Sequence, residues 1–84
     1  MQQKIAVISA ILEEPETAQS AFNQVISDYR EVIRGRMGIP LPDREVSAIA
    51  IIAIGTLDRI NSLTGKLGNI TGVSVKTSIS KKEI

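Results

Sequence analysis

The chain has 84 residues, 43% of them apolar, with ten basic and nine acidic side chains and a formal charge of +1. That length holds one domain and one core, and the near-neutral balance leaves no electrostatic footprint for direct binding to nucleic acid or an anionic membrane. With no cysteine and no histidine, disulfides, thiolate or iron–sulfur sites, the usual general base and the usual zinc or nickel ligand are excluded, and neither metal nor cofactor is expected.

Phe22 is the only phenylalanine and Tyr29 the only tyrosine, so the core must be aliphatic. No segment reaches the roughly 18 apolar residues of a membrane span. Met1 to Lys4 leads straight into a strand-like run without a small-residue cleavage site, and a cytoplasmic location is expected.

Lys4 to Leu12 reads as a first strand. Glu13, Glu14, Pro15 and Glu16 end it and open a helix, with proline in the first turn and acids at the positive end of the helix dipole. Ala18, Ala21, Phe22, Val25, Ile26 and Tyr29 then mark one buried stripe, and Gln19, Asn23, Gln24 and Asp28 the opposite face.

A second strand is expected over residues 31–39, with Val32, Arg34 and Arg36 on one face and Ile33, Gly35 and Met37 on the other. Pro40 and Pro42 are expected to stop it, and Asp43 to support a turn. Val46 to Ile54 is a third strand, closed by Gly55.

Thr56 is placed to cap a second helix, with Asp58 in its first turn and Leu57, Ile60, Leu63 and Leu67 as its stripe. Gly65 weakens that helix by about 1 kcal/mol against alanine, and Gly68 or Asn69 is expected as a left-handed cap. Gly72 turns the chain into a fourth strand, Val73 to Ile79, and residues 80–84 read as a tail.

The order strand, helix, strand occurs twice within one short chain. This predicts a single α+β domain over residues 1–84, with its ordered core at about 4–79. The fold is a ferredoxin-like, ACT-like βαββαβ sandwich, with a four-stranded antiparallel sheet ordered 4-1-3-2 and both helices on one face.

Strands one and three are expected at the centre, and both are apolar on both faces, although one layer of helices hides only one face. The surplus predicts a homo-oligomer, a dimer or tetramer, joined through the sheet, with Ile8, Leu12, Ile49, Ile51, Ile52 and Ile54 as the oligomer-face candidates. The plainer alternative is a monomer whose alanine-rich strands tolerate water.

Glu13, Glu14 and Glu16 are expected to stabilise the helix dipole, with acid–base work by a carboxylate pair as the alternative, and no glycine loop is placed to cradle phosphate. Arg34, Gly35, Arg36, Met37 and Gly38, with Asp43 and Arg44 in the following loop, form the candidate ligand or interface segment. Arginine forks hold carboxylate or phosphate, and glycines admit a close approach. The alternative is that Arg34 and Arg36 guard an edge strand against unwanted pairing.

The run Gly35 to Pro40 (GRMGIP), the stretch Ser47 to Gly55, the segment Leu63 to Gly68 and the run Gly72 to Lys76 resemble a family of short bacterial proteins described as regulators of the iron-only hydrogenase system. The resemblance spans nearly the whole chain. That family is similar in fold to the C-terminal domain of the nickel-responsive repressor and to ACT domains, which assemble through their sheets and bind effectors near subunit boundaries.

The resemblance implies a non-enzymatic regulatory module. The repressor's nickel-binding histidines and cysteine have no counterpart here, and Glu13 to Glu16 lacks the glycine with which many ACT domains approach an amino acid. Lacking a DNA-binding arm, such a regulator is expected to act through a partner protein of the hydrogenase system. The alternative is a structural adaptor with no small-molecule ligand.

Overall fold

Burial alternates residue by residue along two long central strands, and that alternation organises everything else. The structure is a computed structural model that describes residues 2–84; Met1, the first residue of the expected domain, lies outside them. The elements are β1 (Lys4–Leu12), α1 (Pro15–Asp28), β2 (Ile33–Leu41), β3 (Val46–Gly55), α2 (Leu57–Gly68) and β4 (Val73–Ile79). All pairings are antiparallel and the sheet order is β2-β3-β1-β4, the expected ferredoxin-like arrangement.

On the helix side, Ala6, Ile8, Ala10 and Leu12 of β1 meet Ile49, Ile51 and Ala53 of β3, all of them buried. Phe22 from α1 and Ile60, Leu63 and Leu67 from α2 close over them. The small alanines let the helices come down onto the sheet, and the isoleucines and leucines fill the remaining volume. Half-buried Val73, Val75 and Ile79 extend this core along β4. Two hydroxyl pairs add to the packing: Tyr29 Oη with Ser62 Oγ at 2.5 Å joins the end of α1 to α2, and Thr64 Oγ1 with Thr77 Oγ1 at 2.9 Å ties α2 to β4.

Four of the six oligomer-face candidates therefore belong to the interior. Ile8, Leu12, Ile49 and Ile51 lie under the helices, with only Ile49 showing as much as 8% exposure. The period-2 pattern separates two faces but does not say which one the helices take. Ile52 is exposed and Ile54 half-buried on the other face.

Smaller differences have local causes. Ala21 and Leu57 sit at the margins of their helical stripes and are exposed. Pro15 does lie in the first turn of α1, and the Thr56 hydroxyl accepts from the Arg59 amide as the cap of α2. Helix α2 passes through Gly65 and ends on Asn69 in a right-handed conformation, φ −81°, so no left-handed cap forms there. Positive φ occurs among the described residues only at Glu45 and at Gly72, where the chain turns into β4. Residues 81–84 are exposed, yet Ser80 hydrogen-bonds the backbone of Ile5, and the Ile84 amide donates to Gln3.

Strand β2 starts at Ile33 rather than residue 31 and continues through Pro40 to Leu41. Pro40 does not stop it, because an edge strand pairs on one side only and tolerates a missing N–H. A bulge between Ile33 and Gly35 leaves Arg34 unpaired and breaks the expected alternation. Ile33 then sits on the core side opposite Ala53, while Gly35 stands opposite Ile52 on the other face.

Candidate functional site

The helices cover β1, β3 and β4, whereas every β2 residue except Ile33 is exposed. Strand β2 therefore has two wet faces, and each makes a different kind of surface.

Opposite the helices lies an open sheet face. Ile5, Val7, Ser9 and Ile11 of β1 pair with Ile54, Ile52, Ala50 and Ala48 of β3, and Met37, Ile39 and Leu41 continue the face on β2. Among the described residues, no charged side chain occupies a paired open-face position on these three strands; the charges at its margins are Lys76, in the serine row of β4, and Arg34, the bulge residue next to Gly35. Val7 is 45% exposed, Ile11 47%, Ile52 41% and Met37 63%. With Ile39 and Leu41 these side chains leave roughly 500 Å² of apolar surface in water, at the upper end of what a monomer exposes.

On the helix side, α1 and β2 diverge and leave a groove of about 250 Å³. Its floor is Leu12, Phe22 and Ile49, its ends are Pro15 and Pro40, and its polar groups come from Gln19, Asn23, Arg36 and Ser47. Arg36 Nη1 donates to Asn23 Oδ1 at 3.2 Å, and its guanidinium carbon lies 5.8 Å from the centre of the Phe22 ring. Gly38 pairs with Ile49 and contributes no side chain to the groove.

The expected segment is thus divided. Arg36 and Gly38 reach the groove, Met37 and Gly35 belong to the open face, and Arg34 is the exposed bulge residue. Asp43 and Arg44 pair with each other at 3.7 Å on an exposed turn and reach neither surface. Sequence reasoning missed Gln19 and Asn23, whose i, i+4 spacing on the polar face of α1 was the available signal. It also left out Val7, Ile11, Ile39 and Leu41.

A second cationic cluster lies at the far end of the helix layer. The Arg59 guanidinium sits 4.3 Å from the centre of the Tyr29 ring and forms an ion pair with Glu31. The hydrogen bond from Arg59 holds the Glu31 carboxyl below its ordinary value, and the same bond raises Arg59. Both partners are solvated, so the pair acts as a surface clamp. Among the described residues no cluster of three or more Asp or Glu could hold a metal ion, and no helix is long and apolar enough to cross a membrane.

Residues 4–77 match the TM1266-like family, described as "Iron-only hydrogenase system regulator, putative". The chain belongs to this family. The structure of the uncharacterized protein TM1266 from Thermotoga maritima superposes with a TM-score of 0.89 at 30% identity, covering 94% of this chain and 99% of that one. The resemblance carried by GRMGIP and the third strand is thereby confirmed.

More distant likenesses show the fold alone. The C-terminal domain of the MgtC protein from Mycobacterium tuberculosis matches with a TM-score of 0.71 at 16% identity, over 93% of this chain and 88% of that one. The divalent ion tolerance protein CutA1 from Ehrlichia chaffeensis matches at 0.57 and 16%, over 95% and 84%. No curated protein matches the sequence.

Proposed function

We propose that this TM1266-like protein is a non-enzymatic, ACT-like regulatory module of the iron-only hydrogenase system, working in the cytoplasm. It assembles through the open face of its sheet into a dimer or tetramer, binds a small effector through the β2 segment beside that boundary, and acts through a partner protein rather than on DNA.

The observation that carries this reading is the uncharged apolar face built by Val7, Ile11, Met37, Ile39 and Ile52. Two such faces in contact would bury about 1,000 Å² or more, the lower range of specific interfaces. At about 25 cal/mol per Å², that covers much of the cost of association. The family description supports the regulatory role. Strand β2 supports the link between effector and assembly, because Arg36 and Gly38 face the groove while Met37 and Ile39, alternating with them, face the open side.

Light scattering on the purified chain tests the assembly. The expected mass is a small multiple of 9.1 kDa, and a monomer that persists at high concentration overturns sheet assembly. In a cell with an iron-only hydrogenase, removing this protein should change hydrogenase levels; unchanged levels overturn the regulatory role.

A further inference from the structure

We infer that the groove between α1 and β2 is a binding site for a small monocarboxylate with a short apolar body and without an ammonium group. The inference rests on the reading that the β2 segment binds an effector, and it names the class of that effector.

Charge points to the carboxylate. Arg36 is the one charged side chain lining the groove, and no acidic residue lines it. Among the described residues the ion pairs are Asp43–Arg44 and Glu31–Arg59, so Arg36 is engaged by no carboxylate of its own. Asn23 occupies one of its donors and Phe22 lies beneath its guanidinium, which fixes the fork while leaving most of its N–H groups available. A planar guanidinium held in this way matches a carboxylate in two-point contact.

Size and lining set the rest of the ligand. About 250 Å³ holds roughly eight water-sized groups, less than a drug-sized pocket. The floor of Leu12, Phe22 and Ile49 takes a short aliphatic chain, and Gln19 or Ser47 meets one further polar atom such as a 2-oxo group. An α-amino acid is disfavoured because no acidic side chain lines this groove to meet its ammonium; Glu13, Glu14, Glu16 and Glu45 line the neighbouring cleft, which shares only Pro15, Pro40 and Ser47 with it.

The groove stays open because of Gly38. A Cβ there would meet Ile49 Cγ1 at 3.7 Å, an ordinary contact, so the fold accepts a side chain at this position while the groove does not. This gives a blocking variant that spares Arg36.

Calorimetric titration of the intact chain with pyruvate, 2-oxobutyrate, butyrate, L-alanine and inorganic phosphate tests the assignment. The three carboxylates without ammonium should bind more tightly than L-alanine and phosphate. Arg36→Met and Gly38→Val should each weaken them about tenfold or more, with circular dichroism unchanged. Binding that is equal in wild type and both variants, binding of phosphate or L-alanine alone, or no binding of any carboxylate overturns the site. Light scattering on the same samples separates the two readings. An oligomer that binds no carboxylate removes the groove assignment and leaves sheet assembly standing, whereas a monomer that binds one does the reverse.

Discussion

Arg36 and Met37 are consecutive in sequence yet serve opposite surfaces of the same edge strand. Arg36 pairs with Ile51, which is wholly buried beneath the helices, and Met37 pairs with Ala50 on the open face. Strand β2 lies outside the helix layer, so both side chains reach solvent. A ligand held by one residue and a neighbouring subunit held by the next would each restrain the same backbone.

Charge placed on the open face should separate the subunits without unfolding them. Val7→Lys or Ile11→Lys puts an ammonium where the side chain is about half exposed, a position harmless to the monomer and costly inside an apolar interface. The expected result is a monomeric mass by light scattering with an unchanged circular dichroism spectrum. The contrast is Ile8→Ala, one residue from Val7 but fully buried; it should cost about 2–5 kcal/mol in urea denaturation.

Gly55 is a packing requirement. A Cβ there would lie 2.8 Å from Val32 Cγ1 and 3.3 Å from Val32 Cβ. Gly55→Ala should therefore destabilise the domain by about 1–3 kcal/mol. Val32→Ala removes the nearer obstacle, so the double variant should lose less than the sum of the two single losses. A denaturant cycle measures that coupling.

Gly65 poses the opposite case. It lies inside α2, is exposed, and has open space where a Cβ would go. Gly65→Ala should stabilise the protein by about 1 kcal/mol, read as a higher denaturant midpoint.

The Arg59–Glu31 pair predicts a weak acid dependence. Glu31 is held below its ordinary value by the hydrogen bond from Arg59. The pair's contribution is therefore complete above the unfolded glutamate value and is lost as pH falls through the lower folded value. Glu31→Gln should flatten that part of the stability profile between neutral pH and the acid limb. Thermal melts across this range, wild type against variant, give the difference directly.

The order of elements, the Thr56 cap, the proline in the first turn of α1 and the antiparallel sheet were legible in the sequence. Each follows from local periodicity or from a residue whose backbone chemistry is specific. The excess of apolar residues on β1 and β3 was legible too. What periodicity lacks is a sign: it sorts residues into two faces and leaves open which one the helices cover. Only the docking of Phe22, Ile60, Leu63 and Leu67 onto Ile8 and Ile51 decided that. The bulge at Arg34 and the extension through Pro40 were likewise tertiary outcomes, because an edge strand is held by one neighbour and its register is set by β3. The groove was hidden for the same reason. Asn23 and Arg36 are 13 residues apart, and the gap between an overhanging strand and a helix has no local pattern to announce it.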